Sequence, residues 1–244
     1  MIYITDGTFE GILTAVFEAY KNKEEPESIV TKQYFQALLG SEIREIETDH
    51  EKYDRVYNSI ITKMSYEVLE LIYKAWLSEH RDVGIAIYRY IKIGLKIGRK
   101  VISYLQNPDV QMINDLSQKV SKEVHLFIGI LRFNKLKNGI YYAQIEPDNN
   151  IVMLIAGHFV DRLSDQPWII HDVKRNLSAL FDTNQVIFST ENISIPADYK
   201  DDKEFEILWK KYFKAIAIES RINPKLQRSF MPRRYWKNLT EKQR

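Results

Sequence analysis

The chain has 244 residues, of which 45% are hydrophobic and 28% charged, and its formal net charge is +2. This length and composition suit one large domain or two small ones with a sizeable core, and argue against disorder. The absence of cysteine excludes disulfides, cysteine-ligated zinc, iron–sulfur clusters and a cysteine nucleophile. No basic leader opens the chain and no apolar run is long enough to span a bilayer, so we expect a cytoplasmic protein without membrane contact.

The first half of the chain is predicted to be mainly helical. A short strand over 1–5 comes first. Thr48 and Glu51 have the spacing of a capping box at the start of one helix, and Asn107-Pro108 is a typical beginning of another. Apolar residues at helical spacing mark four helices, over 9–20, 53–64, 69–77 and 81–105.

The pattern changes near Glu123. The apolar run 125–133 favours a strand, and Asn138-Gly139 before residues 140–145 predicts a hairpin. Further strands are predicted over 167–173, 177–181 and 186–189, and helices over 151–159 and 205–216. We therefore predict an α+β fold with a largely helical region, 1–122. A region over 123–244 would hold a small antiparallel sheet, flanking helices and a basic C-terminal segment, and the two regions could form one integrated domain.

The C-terminal segment concentrates positive charge. Residues 221–244 carry a net charge of +7, which leaves −5 on the rest of the chain. Basic side chains suit phosphates and aromatic faces suit stacked bases, although the aromatic residues could instead pack on the protein body. The predicted nucleic-acid-binding residues are Lys225, Arg228, Arg233, Arg234, Tyr235, Trp236 and Lys237.

Two carboxylates lie between a predicted strand and a predicted helix. Glu146 or Asp148 could act as an acid or base, or bind magnesium. The alternative is a plain turn in which Asn150 caps the helix that starts at Ile151.

Two histidines are further candidates. His158 lies on the apolar stripe of its helix, at helical spacing from Asp161 and Arg162, so it could carry a proton or could be a hydrogen-bonded core residue. The doublet His171-Asp172 is similar to that of metal phosphohydrolases. It follows a predicted strand, where adjacent side chains face opposite ways, so no metal site is predicted.

Several common catalytic motifs are missing from the sequence. There is no P-loop, no dinucleotide-binding glycine pattern, no H-E-x-x-H and no G-x-S-x-G. Neither a reaction nor a cofactor can be named from such motifs.

Three strings carry a resemblance to a known family: "IEPDNN", "HFVDRLSDQPWIIHDVKR" and "RINPKLQRSFMPRRYWKNL". They resemble a bacterial family of domains of unknown function labelled as DNA metabolism proteins, and "YITDGTFEGILTAVFEAY" resembles its N-terminal signature. The resemblance implies a companion of a radical-SAM protein that acts on DNA; some members are joined to a uracil-DNA-glycosylase-like domain. The positions that match its motifs best are Glu146, Asp148, His158, Arg162, Gln166, Trp168, Asp172, Asn223, Lys225, Arg233, Tyr235 and Trp236.

Three functional hypotheses follow. The leading one is a nucleic-acid-binding accessory protein of DNA repair or DNA metabolism, which assists a radical-SAM partner. The second is an enzyme that acts on DNA or a nucleotide, with an acid–base site formed by Glu146, His158 and Asp172. The third is a protein-binding adaptor whose aromatic residues form the core of an interface.

Overall fold

A computed structural model describes residues 1–35, 42–193, 225, 228, 231–239 and 242 of the chain. The chain divides into two compact units, Met1–Ser121 and Lys122–Arg244. Helices dominate the first unit and both units contain a sheet, which confirms the predicted α+β class. The helix predicted over 205–216 lies outside the described residues. Within the described ranges, no helix combines the length and apolar character needed to cross a membrane.

The first unit places helices around a small parallel sheet with strand order β2-β1-β3. The predicted first strand and the helices are confirmed, whereas the strands β2 and β3 were not predicted. The 3-10 helix Gly98–Ser103 follows α4. The other elements are β1 (Ile2–Thr5), α1 (Phe9–Asn22), β2 (Ser28–Thr31), β3 (Ile43–Glu45), α2 (His50–Lys63), α3 (Tyr66–Trp76), α4 (Val83–Ile97) and α5 (Pro108–Ile130), which continues into the second unit.

The core of the first unit is one cluster formed by the sheet, the helices α1 to α4, the 3-10 helix and the first turns of α5. Tyr3 on β1 and Leu13 on α1 are completely buried in it. Helix α4 lies so close to β2 that a Cβ atom on Gly84 would come within 2.4 Å of the backbone oxygen of Ile29. Glycine at this position is therefore required by packing rather than by backbone conformation.

The helix starts show one confirmed prediction and one correction. The side chain of Asn107 accepts hydrogen bonds from the backbone N–H groups of Asp109 and Val110, as the Asn-Pro start predicts. The Thr48 capping box is wrong, because Asp49 caps α2 by accepting from the backbone of Lys52. The Thr48 hydroxyl instead donates to the carboxylate of Asp6, 2.7 Å away.

The second unit is built on a mixed five-stranded sheet with the order β4-β5-β6-β7-β8. Neighbouring strands are antiparallel except β5 and β6, which are parallel because α6 returns the chain between them. One face of the sheet packs on buried residues of α6 such as Ile155 and Phe159. The elements are β4 (Asn134–Lys135), β5 (Tyr141–Ile145), α6 (Val152–Arg162), β6 (Trp168–Asp172), β7 (Leu177–Phe181), β8 (Val186–Ser189) and a C-terminal 3-10 helix (Arg233–Asn238).

The strand predicted over 125–133 is wrong, because α5 remains helical to Ile130. Val120, Glu123 and Phe127 are buried at helical spacing and form the inner stripe of this part of α5. A short apolar run is compatible with both a buried strand and a buried helix. Residues 125–130 are helical because they continue the helix that begins at Pro108.

Candidate functional site

The buried carboxylate of Glu123 organises the polar centre of the second unit. Its side chain lies on the apolar stripe of α5, and the residue is only 7% exposed. It accepts hydrogen bonds from the backbone N–H groups of Asp148 and Asn149, both at 2.8 Å, and from the side-chain amide of Asn149 at 2.6 Å. A buried carboxylate is tolerated only when its oxygens are bonded in this way.

The loop that follows β5 is therefore held by hydrogen bonds to Glu123. The predicted helix cap by Asn150 is wrong. Helix α6 starts at Val152, and the preceding Ile151 makes no side-chain cap. The side-chain oxygen of Asn150 is buried and has no hydrogen-bond partner among the residues that the structure describes. The backbone N–H groups of Asp148 and Asn149 donate to Glu123 on α5 rather than to a residue of the loop.

Asp172 and Arg175 also hold the loop that follows β5. The Asp172 carboxylate is fully buried and pairs with the Arg175 guanidinium at 2.8 Å. Arg175 also donates to the backbone oxygens of Pro147 and Asp148, at 3.1 and 2.7 Å. Asp172 additionally accepts from the backbone N–H groups of Lys174 and Arg175. These contacts give the Asp172 carboxylate a structural role.

The C-terminal 3-10 helix sets its residues on three faces, because side chains three positions apart eclipse one another in this helix. The first face carries Tyr235, which is buried and packs edge-on against the ring of Phe127. The Tyr235 hydroxyl donates to Glu123 at 2.5 Å. Burial, followed by the hydrogen bond and the negative charge of Glu123, raises the pKa of Tyr235 above its ordinary value. Tyr235 thus anchors the segment, and its buried ring is closed to a stacking base in this structure.

The second face carries Arg234 and Lys237, which reach the loop after β5. Arg234 pairs with Asp148 at 2.5 Å and donates to the Tyr235 hydroxyl at 3.0 Å. Lys237 pairs with Glu146. Both cations keep more than half of their side chains exposed.

The third face carries Arg233 and Trp236. The Arg233 guanidinium lies 5.7 Å from the centroid of the Trp236 ring, and the ammonium group of Lys242 lies 4.9 Å from it. The indole N–H donates to the backbone oxygen of Met231, which fixes the ring plane. Arg233 is exposed and Trp236 is half-buried.

The remaining predicted residues are spread over the second unit. Lys225 and Arg228 are exposed and helical. Trp168 is fully buried on β6 and packs against Phe181. Arg162 is exposed at the end of α6, Gln166 is half-buried in the following loop, and Asn223 lies outside the described residues.

The three residues of the predicted acid–base site do not form one hydrogen-bonded group. Glu146 pairs with Lys237 and Asp172 with Arg175, while the half-buried ring of His158 packs edge-on against Phe159. In the part of the chain that the structure describes, no hydrogen bond or ion pair joins these three. The described residues also contain no group of three or more acidic or histidine side chains placed to hold a metal ion.

His171 belongs to a separate buried polar pair. Its Nδ1 atom lies 2.9 Å from the hydroxyl of Tyr142 on the neighbouring strand β5. Burial lowers the pKa of His171 below its ordinary value, and the Asn176 side chain and the Asp172 charge oppose this shift. Asp172 bonds to Arg175 instead, so the two residues of the doublet serve different contacts.

Glu123 and Asn149 were not predicted from the sequence as residues of the site. A signal for Glu123 is present, because this acid replaces an apolar residue on the stripe that runs from Leu116 through Val120 to Phe127. Its partners Asp148 and Tyr235 lie far along the chain, and no local pattern connects them.

The fold and this geometry define an α+β protein whose basic and aromatic C-terminal segment is anchored on a buried carboxylate. A family model described as a domain of unknown function, DUF4130, matches residues 81–241. This match covers more than half of the chain, so the chain belongs to that family. It includes the residues of the site described above except Lys242. No curated protein matches the chain.

Proposed function

We propose that this protein binds nucleic acid through its C-terminal segment and acts as an accessory protein in DNA metabolism or repair, beside a radical-SAM partner. The observation that carries the proposal is the cation–π pair of the exposed Arg233 guanidinium, which lies over the Trp236 ring. A guanidinium next to an aromatic ring can pair with a phosphate, and both groups can stack on a base.

Other positive charges of the C-terminal segment support the same ligand class. Lys242 is a second cation over the Trp236 ring, and Lys225 and Arg228 are exposed elsewhere in the same basic segment. Two cations next to an aromatic ring suit a single strand, in which bases are unstacked and phosphates are accessible. We therefore expect single-stranded nucleic acid to bind more tightly than a duplex.

The buried residues of the segment support binding indirectly. Tyr235 holds the 3-10 helix on Glu123, so the third face of the helix is presented in a fixed orientation. An interface that is already ordered loses less conformational entropy when the ligand binds. Tyr235 is thus proposed as a positioning residue and not as a stacking residue.

The accessory role rests on the family resemblance together with the arrangement of the acidic residues. Glu146 and Asp172 are engaged by cations of the protein itself, which favours a binding role over an acid–base role at these positions. Copurification with a radical-SAM protein from the same bacterium, before and after nuclease treatment, tests this part. Loss of the partner after nuclease would indicate a link through nucleic acid, and retention would favour direct protein contact.

Fluorescence anisotropy with labelled single-stranded and duplex DNA over a salt series tests the nucleic-acid proposal. Binding of the wild type should weaken as salt rises, and Arg233→Ala should flatten the slope for single strands by about 0.7. Trp236→Ala should weaken binding by about 1–3 kcal/mol. Lys135→Ala is the matched control, because Lys135 also lies over an aromatic ring, that of Tyr141. No binding by the wild type at low salt would refute the proposal and favour the protein-binding adaptor.

A further inference from the structure

The geometry points to a second phosphate-binding site, formed by Arg234 and Lys237, that the carboxylates of Asp148 and Glu146 occupy in the free protein. This inference rests on the proposed nucleic-acid function and concerns a different face of the same 3-10 helix. Its ligand is a pair of backbone phosphates, which would displace the two carboxylates when nucleic acid binds.

Two cations of the 3-10 helix are bonded to carboxylates that resemble a phosphate in chemistry. A carboxylate bonded to a guanidinium or an ammonium group makes the same charge-assisted contacts as a phosphate oxygen. Arg234 contacts Asp148 at 2.5 Å, and Lys237 contacts Glu146. The loop after β5 therefore presents two anions to two cations that lie one turn apart on the 3-10 helix.

The two ion pairs are open to solvent on at least one side. The side chains of Arg234 and Asp148 are 55% and 56% exposed, that of Lys237 is 56% exposed and that of Glu146 is 28% exposed. Exposed ion pairs contribute little to stability and are screened by salt. The buried pair of Asp172 and Arg175 in the same unit shows the contrast, because both of its side chains are almost inaccessible.

The 3-10 helix keeps its buried anchor when the two pairs open. Tyr235 holds the helix through its ring packing on Phe127 and its bond to Glu123, although Arg234 also donates to the Tyr235 hydroxyl. Opening the two pairs would therefore expose Arg234 and Lys237 to a phosphate on an ordered element instead of releasing the segment. The phosphates contacted by Arg233 and those contacted by Arg234 and Lys237 would then lie on two sides of one short helix.

The test uses the full chain and labelled single-stranded DNA in a salt series, with thermal melting to show that each variant is folded. Arg234→Ala/Lys237→Ala should flatten the salt slope by about 1.4, which is two single-strand phosphate contacts. The charge-conserving variant Arg234→Lys/Lys237→Arg should retain the wild-type slope. Glu146→Gln/Asp148→Asn should bind about 2- to 30-fold more tightly with an unchanged slope, because two exposed pairs no longer compete.

A matched control removes two acids from other exposed ion pairs. Glu67→Gln/Asp109→Asn changes the net charge equally and releases Arg99 and Arg89 in the first unit. It should leave the affinity within about twofold of the wild type, since its effect acts only through distant, screened charge. An equal gain in this control would overturn the inference and assign the effect to net charge.

The failure of this inference differs from that of the proposed function. A wild type that binds, with a slope that Arg233→Ala flattens and Arg234→Ala/Lys237→Ala does not, would overturn the second site and leave the first in place. Absence of binding by the wild type and all variants would overturn the proposed function, and the second site with it.

Discussion

The hydroxyl of Tyr235 donates a hydrogen bond to the carboxylate of Glu123, which precedes it by 112 residues. Both groups are buried, and the Tyr235 ring also packs on Phe127, one helical turn beyond Glu123. This contact joins α5 to the C-terminal 3-10 helix within the second unit. It also explains why an acidic residue is found on the apolar stripe of α5.

Removal of the Tyr235 hydroxyl should destabilise the protein. Tyr235→Phe keeps the ring packing but leaves the Glu123 carboxylate with one buried bond unmade, which costs about 1–3 kcal/mol. Urea unfolding monitored by circular dichroism measures the loss. Tyr141→Phe is the control: Tyr141 is half-exposed, and the change should stay within about 0.5 kcal/mol. An unchanged free energy of unfolding for Tyr235→Phe would contradict the anchoring role.

Breaking the buried ion pair of Asp172 and Arg175 should lower the free energy of unfolding more than Tyr235→Phe does. Asp172→Asn removes the buried carboxylate that pairs with the Arg175 guanidinium, and breaking such a buried pair typically costs about 3–5 kcal/mol. The same denaturant measurement applies, with Lys174→Ala as the exposed neighbouring control. If Asp172→Asn were as stable as the control, the pair could not be what holds the loop.

Acidification should weaken the second unit through His171. Its pKa is lowered in the folded state, so the unfolded chain takes up the proton first as the pH falls below the ordinary value of 6.5. Stability is therefore highest above that pH and decreases until the folded-state pKa is passed. His171→Asn should remove this part of the pH dependence, whereas His158→Asn should retain it. Unfolding at a series of pH values between 7 and about 4 distinguishes them, and an identical profile for wild type and His171→Asn would contradict the assignment.

Two helical glycines should respond in opposite directions to alanine. A methyl group on Gly84 would meet the backbone of Ile29, so Gly84→Ala should force α4 away from β2 and destabilise the first unit. Among the described residues, Gly157 on α6 has no atom within 4 Å of the added methyl, so Gly157→Ala should stabilise by up to about 1 kcal/mol. Thermal melting measures both. A neutral Gly84→Ala would mean that the close approach of α4 to β2 is not required.

Much of the fold could be predicted because long amphipathic helices carry their periodicity locally. The stripe of α1 and the Asn107-Pro108 start of α5 are examples. The strands β2 and β3 could not be predicted, since Ser28–Thr31 has only two apolar residues and Ile43–Glu45 only one, whereas the equally short β1 and β8 have three each. The apolar run 125–133 was wrongly predicted as a strand because most of it continues α5, and a short apolar run does not show this.

The candidate site was predicted only in part, for a related reason. The cations of the C-terminal segment and the acids of the 146–148 loop stand out in the sequence, but their pairing depends on the fold. Tyr235 and Trp236 are neighbours in sequence, yet one is buried and the other lies under two cations. Only the three-residue period of the 3-10 helix, absent from the sequence pattern, separates their roles.

The central claim is that the Arg233–Trp236 cation–π pair forms a nucleic-acid interface. The salt dependence of single-stranded DNA binding tests this claim most directly. The logarithm of the binding constant should fall linearly with the logarithm of the salt concentration in the wild type. The slope should be shallower in Arg233→Ala and unchanged in Lys135→Ala. Absence of binding at low salt, or a slope that Arg233→Ala leaves unaltered, would contradict the account.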